Sequence, residues 1–224
     1  MTETSSAATV NRPYAQRTGT VGWPLVGTEV RIAEDGEVLM RGPGVMQGYH
    51  DNPEATAETL DADGWLHSGD IGEIDERGFV RITDRKKDLF KTSNGKYVAP
   101  SQVESTFKGL CPYVGQLLVH GEGRHFVTAL VTLDEEAIKP WAQANGLGDA
   151  TYQEVVSSAQ ARDMVQGYVD ELNSGLNKWE RIGKFTILGR DLSVEEGELT
   201  PSLKLRRRVV ADKFKGDIDG MYAG

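Results

Sequence analysis

The sequence predicts an α+β protein in two parts, and three observations carry that prediction. Up to about residue 85 the chain reads as short alternating strands separated by glycine turns. Beyond it come a tight hairpin, amphipathic helices and apolar strands. Between the two styles lies the stretch from Asp84 to Pro100, which holds five of the 25 Lys and Arg of a chain whose net charge is −9. The expected division is 1–85 and 86–224, with a hinge at 84–88.

Bulk properties narrow the class. A length of 224 residues allows one large or two small domains. Hydrophobic content of 38% and charged content of 26% suit a globular protein and argue against a disordered chain. The longest apolar run, Phe126 to Leu133, is too short to span a bilayer. The single cysteine, Cys111, cannot form an internal disulfide, and it reads as a small buried residue near a strand. The polar first residues lack a secretory core, so a cytoplasmic location is expected. Charge is uneven: Asp51 to Glu76 has nine acids and no Lys or Arg, whereas Lys204 to Lys215 has six bases and one acid. On charge alone, the basic segment is either a solvated helix face or a surface for an anion.

Taken in order, Glu29 to Ile32 and Glu37 to Met40 alternate around Glu34-Asp35-Gly36 and read as a hairpin. Arg41 to Tyr49 is glycine-rich but lacks the Lys-Ser/Thr of a phosphate loop and reads as structural. Asn52-Pro53 opens a short helix, with Asn as cap and Pro at the first position. Gly78 to Ile82 is a strand, and Ser93-Asn94-Gly95 is a turn between strand formers Leu89-Phe90 and Tyr97-Val98. Ser101 with Glu104 predicts a capping box. Val114 to His120 and Phe126 to Leu133 pair across Gly121 to Arg124. Asp134 caps a helix to about Ala144. Tyr152 to Lys178 is helical, with a break expected at Gly167 or Gly175, and Met164, Tyr168 and Leu172 face the core. Lys184 to Leu188 is a strand.

Three motifs, in order, carry a resemblance. The first is Asp63-Gly64-Trp65-Leu66-His67-Ser68-Gly69-Asp70-Ile71-Gly72. The second is Asp84-Arg85-Lys86-Lys87-Asp88, followed by Lys91, the Gly95 turn and Val98-Ala99-Pro100. The third is Leu199-Thr200-Pro201-Ser202-Leu203-Lys204-Leu205. Together they resemble the adenylate-forming superfamily, which includes acyl-CoA synthetases, peptide-synthetase adenylation domains and firefly luciferase. Phe90 and the third motif are most similar to the long-chain fatty acyl-CoA synthetases. Most of the superfamily has Gly before the final lysine, and Leu203 stands there in this chain.

The resemblance implies a role for each matching residue. Asp70 grips the ribose diol of ATP, a pair of hydroxyls suited to one carboxylate. Arg85 contacts ribose or phosphate. Lys87 is the pivot of the hinge, whereas Lys86 and His67 are assigned no function. Met1-Thr2-Glu3-Thr4 matches a motif in which Thr2 meets the α-phosphate and Glu3 helps hold Mg2+, for which a hard carboxylate is suited. Because the match begins in mid-motif, the chain is expected to be the C-terminal part of a longer enzyme: the β-rich tail of a large N-terminal ATP-binding domain, then a small α+β C-terminal lid.

The reaction implied has two halves. A fatty acid and MgATP give an acyl-adenylate and pyrophosphate, and coenzyme A then displaces AMP. Lys204 is the catalytic residue of the first half, where it offsets the repulsion between two anions. In the second, rotation brings forward the hairpin, where Gly95 lines the pantetheine passage and Lys91 contacts the adenylate. The expected partners are fatty acid, ATP, CoA and the upstream domain; nucleic acid is not expected, and the substrate could bring the enzyme to a membrane periphery. The 224 residues alone are expected to be inactive. Two alternatives stay open: a fatty acyl-AMP ligase or other adenylation domain, and, from another class, a basic module for nucleic acid or membrane surfaces at Lys204 to Lys215.

Overall fold

Alternation in the first part and mixed periodicities in the second give two units in the computed structural model, which describes residues 1–223. One runs from Met1 to Asp88 and the other from Leu89 onward.

The first unit begins with a 3-10 turn at Thr2–Thr4 and a short ribbon of β1 (Thr9–Val10) and β2 (Trp23–Pro24). Its body is an antiparallel meander of β3 (Glu29–Ile32), β4 (Glu37–Arg41), β5 (Leu66–Ile74) and β6 (Val80–Arg85), adjacent in that order. Between β4 and β5 lies α1 (Pro53–Thr59), which Asn52 caps by accepting from the Ala55 N–H. The core is small: Ala8, Val38, Met40, Leu66 and Val80, flanked by Val30, Ile32 and Ile82. Arg31 and Arg41 cover the ring of Trp65, the residue before β5, at 4.1 and 4.6 Å from its centroid.

Two register shifts shape β5. Glu37 pairs with Ile71, but Leu39 pairs with His67, so between these pairs one residue of β4, Val38, faces three of β5. The surplus lies at Ser68-Gly69-Asp70, which bulges from the ladder. Gly69 sits at φ +69°, a conformation costly for any residue with a Cβ. The unit ends in a 3-10 turn at Lys86–Asp88.

The second unit opens with a tight hairpin, β7 (Phe90–Lys91) and β8 (Tyr97–Val98). Helix α2 (Pro100–Leu110) follows, then β9 (Val114–His120), β10 (Val127–Leu133), α3 (Glu135–Ala144), α4 (Tyr152–Val156), α5 (Ala159–Gly175), β11 (Ile182–Ile187), α6 (Arg207–Lys213) and α7 (Lys215–Tyr222). Strand β10 is central, antiparallel to β9 and parallel to β11. Every residue of β10 is buried, because both faces of the sheet are covered. Val127, Ala129, Val131 and Leu133 join Phe107, Val165, Val169 and Leu172 on one side. Leu130 and Leu118 join Val210, Ile218 and Met221 on the other. A central strand in a helix–sheet–helix sandwich reads as a continuous apolar run for this reason.

Two local expectations are corrected. The helix expected over Tyr152 to Lys178 is two helices, parted at Ser157-Ser158 rather than at Gly167 or Gly175. Each has its own cap: Thr151 forms a capping box with Glu154, and Ser158 accepts from the Ala161 N–H. Gly167 lies inside α5 and Gly175 is its last residue. Ser101 is not the cap expected of it, because α2 starts at Pro100 and Ala99 is its cap. Glu104 is buried and turns the other way, accepting from the Val119 N–H at 2.7 Å. Among the described residues, no helix is long and apolar enough to cross a membrane.

Candidate nucleotide and adenylation sites

The bulge in β5 is what presents Asp70. Strand register puts Asp70 directly opposite Arg85, and the two form an ion pair with Arg85 Nε 2.7 Å from Asp70 Oδ1. Asp70 keeps its place through its own N–H, which donates to Ser68 Oγ at 3.1 Å, while Ser68 Oγ donates to the Val38 carbonyl at 2.6 Å. Burial pushes the Asp70 carboxyl above its ordinary range, and Arg85 only partly offsets that. The fold therefore holds a carboxylate that it does not fully satisfy.

Under the bulge lies a carboxylate of the opposite kind. Glu37 is 3% exposed. It accepts from the Gly69 N–H at 2.8 Å and from Lys86 Nζ at 2.9 Å, and lies 3.0 Å from His67 Nδ1. Burial alone would raise its pKa, but hydrogen bonds from His67, Lys86 and Gly69 outweigh burial and hold it below the usual range. Lys86 also meets Asp35 at 2.6 Å, and these two carboxylates hold its ammonium above the ordinary lysine range. Lys86 and His67, given no function from the sequence, are thus partners of Glu37, Lys86 as its ion pair and His67 at hydrogen-bond distance. Glu37 itself was hidden as one more polar residue in an alternating strand.

Beside this bulge is an open cleft of about 420 Å3, lined among others by Glu3, Tyr49, His67, Gly69, Arg85 and Lys87. Glu3 accepts from the Tyr49 hydroxyl at 3.1 Å. Thr2 is exposed on the 3-10 turn and does not line the cleft. Asp70 itself is not among the lining residues, but its neighbours Ser68 and Gly69 and its partner Arg85 are. A desolvated carboxylate beside the cleft, a guanidinium in its wall and the Tyr49-bound carboxylate of Glu3 are a donor set that fits a nucleotide sugar and phosphate. Glu3 alone is not a metal cage, and among the described residues no group of three or more His, Cys, Asp or Glu is arranged to hold a metal ion. Lys87 is exposed on the turn that closes the unit.

In the second unit Lys204 stands on an exposed turn. Leu199 bridges Leu205, the Thr200 N–H donates to the Lys204 carbonyl at 2.8 Å, and the Lys204 N–H donates to Thr200 Oγ1 at 3.0 Å. Closing so tight a turn puts Leu203 at φ +59°, the left-handed region. That is a physical reason for glycine at this position in other sequences, and Leu203 adopts the conformation without it. The Gly95 turn is equally well defined. Gly95 has φ +76° and its N–H donates to the Thr92 carbonyl at 2.9 Å. Its hairpin is fastened to the next one: the Gly123 N–H donates to the Lys91 carbonyl, and the Ser93 N–H to the Arg124 carbonyl. Lys91 Nζ lies 5.5 Å from the Tyr97 ring centroid.

Three of the six bases from Lys204 to Lys215 are committed within the unit. Arg206 donates to the Gly197 carbonyl, Arg207 forks onto Glu104, and Lys213 meets Glu196 and Glu198. Charges engaged in this way leave less for an extended anionic surface.

The comparisons with known proteins give the family. The AMP-binding enzyme C-terminal domain family matches residues 87–224, and the AMP-binding enzyme family matches residues 1–50. The chain belongs to the AMP-binding enzyme family. Within that family it is similar to long-chain-fatty-acid–CoA ligase FadD15 of Mycobacterium tuberculosis, 39% identical over 220 residues, covering 98% of this chain and 36% of the relative. Human long-chain-fatty-acid–CoA ligase 1 is 35% identical over 239 residues, covering 99% and 34%. Among solved AMP-binding enzymes, O-succinylbenzoate coenzyme A synthetase of Bacillus subtilis, in complex with AMP, superposes with a TM-score of 0.67 at 27% identity, covering 93% of this chain and 39% of that one. The chain spans little more than a third of the length of the curated relatives it matches.

Proposed function

We propose that this chain is the C-terminal part of an ATP-dependent long-chain fatty acyl-CoA synthetase and supplies its mobile lid. The observation that carries the reading is the pairing of two built sites in one chain: the Asp70–Arg85 pair on the β5 bulge and Lys204 on its turn. Similarity to fatty-acid–CoA ligases over the whole length supports the substrate class. The nucleotide reading draws support from the B. subtilis synthetase, solved with AMP and also with ATP and magnesium ion.

In this reading Asp70 takes the ribose hydroxyls and Arg85 the ribose or phosphate. Thr2 meets the α-phosphate, and Glu3 contributes one oxygen to Mg2+, which would neutralise phosphate charge. Lys204 approaches the carboxylate and α-phosphate as they react, and its ammonium stabilises charge that grows between them. A compact, rotatable donor suits a moving target better than a planar fork. Once pyrophosphate leaves, a lysine in that place obstructs a thiol. Rotation about Lys87 in the 84–88 hinge, between domains 1–85 and 86–224, removes it and brings the Gly95 hairpin forward. A turn with no side chain at Gly95 leaves room for pantetheine, and Lys91 then contacts the adenylate. Coenzyme A acts as co-substrate, and the work is done at a cytoplasmic or peripheral membrane location set by the lipid substrate.

The test is acyl-CoA formation from palmitate, ATP and CoA by the full-length enzyme that carries this chain, beside the 224-residue chain alone. The expected result is thioester from the former and none from the latter. Adenylate without thioester in the full-length enzyme would leave the family and remove the CoA step. Thioester from the short chain alone would sink the lid reading.

A further inference from the structure

A lysine on an exposed turn is useful only if the turn holds still. The Lys204 turn is solvent-exposed from Pro201 to Lys204, and its internal hydrogen bonds span only Thr200 to Lys204. What fixes it lies at its two feet. On the leading side Glu198 is fully buried. Arg190 forks onto it, Nη1 to Oε2 at 2.9 Å and Nη2 to Oε1 at 2.5 Å. Lys213 reaches Oε1 at 2.9 Å, and the Ser193 N–H donates to Oε2 at 3.1 Å. On the trailing side Arg207 forks onto Glu104, Nη1 to Oε1 at 2.7 Å and Nη2 to Oε2 at 2.8 Å. The feet are also tied together, since the Arg206 N–H donates to the Glu198 carbonyl at 2.8 Å.

We propose that the Arg190–Glu198 and Arg207–Glu104 forks are a pair of clamps that position Lys204 for the adenylation half-reaction. The inference rests on the reading of Lys204 given above. Burying ion pairs adds little net stability over apolar side chains of the same volume, because desolvation offsets the attraction. What a bidentate fork adds is direction, since two parallel hydrogen bonds fix rotation as well as distance. Both forks bracket one short turn, and that turn carries the lysine. Glu198, Arg190, Glu104 and Arg207 are positioning residues; none of them touches substrate.

The experiment uses the full-length enzyme and separates the half-reactions: pyrophosphate release for adenylation, and thioester formation from supplied acyl-adenylate. Glu198→Gln keeps the shape and removes the charge; Arg190→Lys keeps the charge and removes the fork. Both are expected to lower the adenylation kcat about 10-fold, within the roughly 10²-fold that an ångström of misplacement can cost. KM for ATP and the thioester step are expected to stay within about two-fold, on the same scale. In a Lys204→Ala background, Glu198→Gln is expected to add nothing further, because residues that act through one group are not additive. If Lys204→Ala cripples adenylation but both variants of the Arg190–Glu198 fork leave it intact, that fork is not a positioning device and the paired-clamp proposal fails. Equal loss of both half-reactions, or full additivity with Lys204→Ala, would make the forks ordinary structural supports. If Lys204→Ala itself leaves adenylation intact, the reading of Lys204 falls first and takes the clamps with it. Should Glu198→Gln fail to fold, Arg190→Lys carries the same test.

Discussion

Asp70 and Glu198 are both carboxylates beside an arginine, and the fold treats them in opposite ways. Asp70 keeps a single ion-pair contact with an exposed Arg85, and burial drives its pKa up. Glu198 receives Arg190, Lys213 and the Ser193 N–H, and the Arg190 hydrogen bonds, against burial, bring its pKa to about 2. One charge is left partly unsatisfied on a bulge whose neighbouring residues line an open cleft, whereas the other is sealed and fully partnered. A carboxylate that costs its own fold something is a candidate for binding; a carboxylate that its own fold satisfies is a candidate for support. Glu37 belongs with Glu198 in this division, although it lies beneath the Asp70 bulge.

The largest expected effect concerns what Glu198 supports. Lys204→Ala in the full-length enzyme should slow adenylation by about 10²–10³, the scale of a lost transition-state donor. The side chain is exposed on its turn, so the thermal midpoint should stay unchanged. Stopped measurement of pyrophosphate release decides it, and a drop in both rate and midpoint would show that Lys204 is itself structural.

Asp70→Asn comes next and breaks the comparison most directly. Losing the charge should raise KM for ATP by about 10-fold to 100-fold, the worth of a charge-assisted hydrogen bond. Stability should move the other way. With the folded pKa above the unfolded one, ionised Asp70 weakens the fold at pH values above its unfolded pKa. Removing that charge should leave the melting temperature at neutral pH equal or slightly higher. A clear fall in melting temperature would place Asp70 with Glu198 among the supports.

Glu198→Gln should show the reverse sign. Its folded pKa of about 2 lies below the ordinary 4.5, so its contribution is fully present above pH 4.5 and is lost as pH falls from there toward 2. At neutral pH the substitution should cost about 2 kcal/mol, as expected when hydrogen bonds to a buried charge lose their partner. The variant should lose less of its remaining stability than the parent between pH 4.5 and 3. Denaturant melts of the 224-residue chain across that range check both points. A parallel acid limb in the two proteins would mean that another carboxylate carries it.

Much of this division could be read from residue order, and some could not. The wording around Asp70, Arg85 and Lys204 is local, so it survives in the sequence. The two-residue bulge that lifts Asp70 from its strand depends on the register of β4 against β5, which no run of residues states. Glu37 and Glu104 each looked like the polar half of a local pattern, a strand alternation and a capping box. Their actual partners, Lys86 and Arg207, are distant in sequence, 49 and 103 residues away. Lys86 passed for surface charge for the same reason. The break at Ser157-Ser158 was within reach: Thr151 with Glu154 spells a capping box, and Ser158 is a second cap signal.

The smallest expected effect tests whether the turn or its clamps set the place of Lys204. Leu203 holds φ +59°, where a side chain costs roughly 1–2 kcal/mol relative to glycine. Leu203→Gly removes that strain but gives the unfolded chain more freedom, which offsets part of the gain. Leu203 is 66% exposed, so little packing is lost. The net change should lie within about 1 kcal/mol, on the stabilising side. If the clamps at Glu198 and Glu104 hold the turn, adenylation should remain within about two-fold of the parent, since backbone freedom at one residue is absorbed between fixed feet. If adenylation instead falls as far as it does in Glu198→Gln, the stiffness of the turn itself, and not the forks at its base, determines where Lys204 stands.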